Sequence, residues 1–141
     1  MQSKPLIIER TYNSLPDRVW DAITNAEKMK QWYFDLEDFK PEVGFRFEFT
    51  AECDGVSYLH LCEVTEVEHG RKLTYSWKYK EYIGESYVTW QLFPEGNNTR
   101  VVLIHRGLET FPPHKDFTRD SFTGGWNHFL GKALKEFLEN E

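Results

Sequence analysis

The chain has 141 residues, of which 40% are apolar and 28% charged, with a formal net charge of -6. That is one ordinary globular domain spanning residues 1–141, large enough to bury a core without disulfide or metal staples. The acidic balance, with no basic cluster to offset it, argues against nucleic-acid binding, which depends on Lys and Arg. No apolar run approaches membrane-spanning length, and the start of the chain leads into a strand-like run without a signal-peptide pattern. Two cysteines, Cys53 and Cys62, have neither metal spacing nor the makings of a disulfide framework, so a reduced, cytoplasmic protein is expected. The aromatic share is high, with 11 Phe, 7 Tyr and 5 Trp. Rings line pockets as readily as they fill cores, and the excess is a first hint of a cavity.

Leu6, Ile8, Arg10 and Tyr12 alternate with Ile7, Glu9 and Thr11 and predict a first strand. Ser14-Leu15-Pro16-Asp17 predicts a helix start, with Ser14 as the cap, Pro16 in the first turn and an acid near the positive end. Val19, Trp20 and Ile23 mark that short helix. A second one, capped by Thr24 or Asn25, carries Ala26, Met29 and Trp32.

From Asp35 the period changes to two. Phe45, Phe47 and Phe49 alternate with charged or polar residues, and Asp54-Gly55 is a hairpin signal. Further strands are expected from Tyr58 to Glu68, through Leu73, Tyr75, Trp77 and Tyr79, through Val88, Trp90 and Leu92, and through Val101, Leu103 and His105. Phe122, Trp126, Phe129, Leu130, Ala133, Leu134, Phe137 and Leu138 recur at helical spacing between about Phe117 and Glu141. The order is a strand, two helices, a meander of about six strands and a long helix: an α+β layout with one sheet face covered and the other solvated.

Glu9-Arg10-Thr11, Pro16 and Val19-Trp20 resemble the opening of the START-like, helix-grip (SRPBCC) superfamily. Within it the resemblance is to the AHSA-type branch, similar to the C-terminal domain of heat-shock chaperone ATPase activators. Leu73-Thr74-Tyr75-Ser76-Trp77, the run from Leu92 through Gly107, and Gly125-Trp126 followed by Leu130, Leu134 and Leu138 resemble later strands and the closing helix of that branch. The chain departs from it at Trp32-Tyr33-Phe34, where many relatives carry a Trp-rich pair followed by Gly. The resemblance implies a curved antiparallel sheet of about seven strands around the long last helix, with an apolar cavity between them.

Phe47, Tyr75, Trp77, Trp90 and Leu103 share the strand parity with the larger side chains, so this parity is expected to face the helix. His105 shares it and becomes either a ligand anchor or acid–base group, or a histidine hydrogen-bonded at a strand end. The expected lining set is Phe47, Tyr75, Trp77, Trp90, His105, Phe122, Trp126 and Phe129, around an apolar or aromatic small molecule, lipid-like or polyketide-like. Two other functions stay open: a protein-interaction module modulating a heat-shock chaperone ATPase, and a cyclase-type enzyme using a cavity histidine. No catalytic residue, metal or cofactor is assigned. His60 and Cys62 lie on one strand face, but two ligands do not make a metal site. Glu63 and Glu85 read as solvated rim carboxylates. Gly131 in mid-helix reads either as a loosening of that helix or as close packing. The loop from Leu108 to Lys115, with Pro112-Pro113, is a stiff connection or a gate. A monomer or a homodimer fits the sequence equally.

Overall fold

The computed structural model describes residues 4–53 and 55–140, with only the backbone of Cys53. Strand β1 (Leu6–Tyr12) is followed by two short helices, α1 (Pro16–Thr24) and α2 (Ala26–Trp32). Strands β2 (Arg46–Cys53), β3 (Val56–Glu68), β4 (Lys72–Tyr79), β5 (Ser86–Glu95) and β6 (Asn98–Arg106) follow as a meander. All neighbours pair antiparallel in the order β1-β6-β5-β4-β3-β2, which leaves β1 and β2 as open edges. The sheet therefore has six strands among the described residues, against the expected seven or so, because the meander holds five and no strand forms between Asp35 and Gly44. Cys53 pairs with Val56 across the hairpin turn, where Gly55 takes φ +82°. Asp54, the other half of that turn signal, lies outside the described residues.

The register puts one set of side chains inward on every strand. Phe47 lies opposite Cys62, Cys62 opposite Trp77, Tyr75 opposite Val88 and Trp90 opposite Leu103. All of these are buried. A bulge between Val64 and Glu66 interrupts the β3–β4 ladder. Such an extra residue adds local twist, which helps the sheet curve around what it holds.

What it holds is the last helix. Thr118 caps it by accepting the Ser121 N–H at 3.1 Å, and regular helix α3 runs Arg119–His128. A π turn, Phe129–Ala133, then leads into α4 (Leu134–Glu139). Phe122, Trp126, Leu130, Leu134 and Leu138 are buried along it, while His128, Lys132, Lys135, Glu136 and Glu139 are exposed, as the helical spacing predicts. The π turn has a visible partner: the Tyr12 hydroxyl donates to the Leu130 carbonyl at 2.6 Å. A π turn leaves backbone carbonyls without their usual intrahelical donor, and Tyr12 supplies one from β1. Gly131 lies in this turn and is exposed, and a Cβ there would approach only the Arg10 guanidinium, at 3.6 Å. It is thus not a point of close backbone packing.

The first helix departs from expectation in detail. Its N-cap is Leu15, with no side-chain cap bond, and Pro16 occupies the first helical turn. Ser14 is instead buried, and its carbonyl accepts from the Thr99 hydroxyl at 2.8 Å, so the turn is held to β6 rather than capped. Asn25 does cap α2, its Oδ1 accepting from the N–H groups of Glu27 and Lys28. Among the described residues, no helix is long and apolar enough to cross a membrane.

Candidate functional site

The inward face between sheet and helix is mostly closed by aromatic contacts. Tyr33 and Phe34, which follow α2, enter it from the side. The Tyr33 ring stacks on Trp126 at 6.1 Å and 21°, and Phe34 stacks on Phe49 at 4.1 Å and 16°. The Tyr33 and Tyr75 hydroxyls hydrogen-bond each other at 3.0 Å, and Trp90 Nε1 donates to Tyr75 at 3.1 Å. Burial pushes both phenols well above their ordinary range, so they remain neutral donors and acceptors. Tyr75 and Trp90 thus lie in packed core, not on a free wall.

His105 is fully buried and has both ring nitrogens engaged. Trp126 Nε1 donates to Nδ1 at 3.0 Å, so Nδ1 is an acceptor and the proton resides on Nε2. Nε2 is 2.7 Å from the Ser86 hydroxyl, which in turn donates to the Trp77 carbonyl at 3.2 Å. The chain from helix indole to sheet backbone is complete. Desolvation pushes the His105 pKa down to about 3, so the ring is neutral at ordinary pH. Of the two roles open in the sequence, the geometry matches the hydrogen-bonded one: His105 fixes Trp126 of the helix against the sheet.

One hollow of about 140 Å³ persists between sheet and helix. Trp77 and Tyr79 form its sheet side; Ser121, Phe122, Gly125, Trp126 and Phe129 form its helix side; Phe34 and Asp116 close it from the loops. Four of the expected lining residues, Trp77, Phe122, Trp126 and Phe129, come together here. Gly125 leaves it accessible, since a Cβ at that position would meet nothing within 4 Å. The walls are preset: Trp77 Nε1 donates to the Tyr79 hydroxyl at 2.9 Å, and Trp126 is held by His105.

Asp116, Phe34 and Ser121 are site residues that sequence reasoning missed. Asp116 sits in a single 3₁₀ turn, Lys115–Phe117, and is buried. Tyr58, at the start of β3, donates to its Oδ2 at 2.5 Å. The Asp116 backbone N–H donates to His114 Nδ1 at 3.1 Å, a local contact, but the Tyr58 hydroxyl that holds its carboxylate comes from 58 residues away and leaves no local mark in sequence. For Phe34 a signal existed: Trp32-Tyr33-Phe34 is where the chain departs from the family pattern.

A larger depression, about 640 Å³, crosses the β2 edge and is bounded by Glu37, Asp38, Arg46, Glu48, Glu63 and Lys78. Phe47 is the expected lining residue on its wall. Its wall is strongly charged, whereas ligand sites are mostly apolar with few polar groups. The smaller hollow fits that description better despite its size. Glu63 pairs with Arg46 at 3.0 Å, and Glu85 accepts from Tyr87 and lies 3.6 Å from Lys78. Neither carboxylate lines the hollow. His60 stacks on Phe49 at 4.5 Å and donates from Nδ1 to the Tyr58 carbonyl, while burial pushes the Cys62 thiol pKa far up. Among the described residues no group of three or more potential metal ligands occurs.

The sequence profile of the family described as "Activator of Hsp90 ATPase homolog 1-like protein" matches residues 13–139. The chain belongs to this family. As an AHSA-type helix-grip domain it closely resembles protein MLL2253 from Mesorhizobium loti, with TM-score 0.79 and 28% identity over 97% of this chain and 98% of that one. CalU16 from Micromonospora echinospora shares the fold at TM-score 0.71 and 24% identity, over 95% and 73% of the two chains. DynU16, a protein of the dynemicin biosynthetic locus, aligns at TM-score 0.79 and 22% identity over 97% of the AHSA-type domain, which spans 48% of DynU16. No protein of curated function matches the sequence significantly.

Proposed function

We propose that this AHSA-type domain binds an apolar or aromatic small molecule, lipid-like or polyketide-like, between its sheet and its last helix. The observation that carries the reading is the hollow of about 140 Å³ walled by Trp77 and Tyr79 on one side and by Phe122, Trp126 and Phe129 on the other. Rigid rings give contact area at little entropic cost, and the few polar atoms at the rim can orient a ligand. Pockets for drug-sized ligands run to roughly 300–1,000 Å³. The hollow therefore takes in one ring or one short branched group, with the remainder of the ligand lying toward the opening at Gly125. The fold shared with DynU16 is compatible with a natural-product ligand. A cytoplasmic setting and a monomeric or homodimeric state accompany this reading.

The test is an NMR titration with indole, followed through the indole N–H signals of Trp77 and Trp126. Saturable shifts in the wild type, lost in Gly125→Leu, support the site. The leucine enters open space, so the fold is retained. No saturable shift, or equal shifts in both proteins, removes this placement.

A second reading follows from the closed interior behind the hollow, where Tyr33 and Phe34 fill the space a larger ligand needs. A packed core suits an interaction module, and the family description points to a heat-shock chaperone ATPase as its target. Addition of the purified domain to that ATPase measures it directly; an unchanged rate with no co-purification removes the reading. The cyclase reading loses its support, because His105 is buried with both nitrogens occupied.

A further inference from the structure

We propose that the β2 edge docks a second copy of this chain, with the two β2 strands paired antiparallel across a two-fold axis at Phe49. Of the two sheet edges, β1 is flanked by the last helix. Arg119 donates to the Lys4 and Pro5 carbonyls at 2.6 and 3.0 Å, and Arg10 donates to Asn127 at 2.9 Å. β2 has a strand on one side only. The Val64 N–H donates to the Phe45 carbonyl at 2.9 Å, and backbone groups along an antiparallel ladder alternate in direction. Phe47, Phe49 and Ala51 therefore turn their backbone groups toward β3, while Arg46, Glu48, Thr50 and Glu52 turn theirs to the open edge. All four of the latter are exposed.

Charges on an edge strand usually discourage pairing. On β2 they select one register instead. Facing side chains must lie on the same side of the sheet, so the allowed registers differ in steps of two residues. With Phe49 opposite its own copy, Arg46 faces Glu52 of the second copy and Glu48 faces Thr50. Each of these pairs recurs across the axis. One step either way sets Glu48 against its own copy or against Glu52. Opposite charges directly across a ladder stabilise it, and like charges destabilise it. The favoured register also runs from Arg46 to Glu52, nearly the full length of β2, and brings the edge-facing backbone groups of the two strands together. Arg46 can make the contact: its side chain is 84% exposed, and only Nε is used on Glu63 among the described residues, which leaves both Nη groups for the second copy.

A single edge pairing is small beside a stable interface, so the dimer is weak and grows with concentration. Sedimentation velocity of the full chain from about 10 µM to about 0.5 mM measures it. Salt at about 0.15 M screens most of the repulsion between two chains of net charge -6. Arg46→Glu and Glu52→Arg each set like charges together at both contacts, and each weakens self-association about tenfold. An equimolar mixture of the two variants restores it: the introduced acid of one then faces the introduced base of the other, and the native Arg46 and Glu52 meet at the second contact. Thr50→Pro removes an edge-facing N–H, which an edge strand tolerates, and abolishes self-association. A wild-type protein that stays monomeric throughout the range overturns the proposal. So does self-association unchanged by either charge reversal, or a mixture no more associated than its two components. Should Thr50→Pro fail to fold, as judged by circular dichroism, the mixing experiment decides alone.

Discussion

Two histidines are buried in neutral form, and this should make the domain acid-sensitive well above the range where carboxylates protonate. Desolvation pushes His60 down to about 4 and His105 down to about 3, from an ordinary value of 6.5. In the unfolded chain both rings take up a proton as pH falls through 6.5, while in the folded protein they do not. The unfolded state therefore binds more protons between about pH 6.5 and the folded values, and stability falls with pH across that window. One pKa unit is worth 1.36 kcal/mol. Going from pH 7 to pH 5 thus costs about 2 kcal/mol for each ring, about 4 kcal/mol together. The figure depends little on the folded values, because both lie below pH 5. Against a typical total of about 5–15 kcal/mol, the loss is large. Urea unfolding at pH 7, 6 and 5, followed by tryptophan fluorescence and circular dichroism, measures it. Replacing His60 by Phe, which suits its stacked position on Phe49, should remove about half of the slope. A wild-type stability constant within about 1 kcal/mol over this range, or a His60→Phe variant with the full slope, refutes the reasoning.

Three further outcomes follow from single contacts. Trp126→Phe leaves the buried His105 Nδ1 without its donor and should cost about 1–3 kcal/mol by urea unfolding; a change below about 0.5 kcal/mol contradicts the proposed anchor. Glycine-to-alanine changes should act with opposite signs at two positions. At Gly84, with φ +111° and a Cβ falling 2.6 Å from the Thr110 carbonyl oxygen, about 1–3 kcal/mol is lost. At Gly125, helical and open, up to about 1 kcal/mol is gained, and both are read from thermal or urea unfolding. Cys62, buried with its thiol held protonated, should resist a thiol reagent in the native protein and react promptly in denaturant, as read by peptide mass mapping; rapid native labelling contradicts its placement.

Periodicity made most of the architecture readable. The buried stripe of the last helix and the inward parity of Phe47, Tyr75, Trp77, Trp90, Leu103 and His105 are repeating patterns, and repeats survive whatever the tertiary context. The two helix starts show where local reading weakens. Asn25 had only its own backbone to bond, and it caps. Ser14 lies where β6 could reach it, and its carbonyl is engaged by Thr99, 85 residues away. The π turn at Phe129–Ala133 was invisible for the same reason: its partner, Tyr12, lies on β1. The hollow is harder still, because its walls come from β4, the last helix, the segment after α2 and a 3₁₀ turn. Five of its rings lie on strand or helix faces, and four of them, Trp77, Phe122, Trp126 and Phe129, were readable as lining. Asp116, held by Tyr58, has no periodic neighbour to mark it.

The central claim is that the hollow between sheet and helix binds a small molecule, and native mass spectrometry of the freshly purified protein tests it most directly. Wild type and Gly125→Leu are purified in parallel, measured intact and then after denaturing extraction. A discrete extra mass on the wild type, released on denaturation and missing from Gly125→Leu, is the predicted result. Bare wild-type protein, or the same adduct on both proteins, contradicts it.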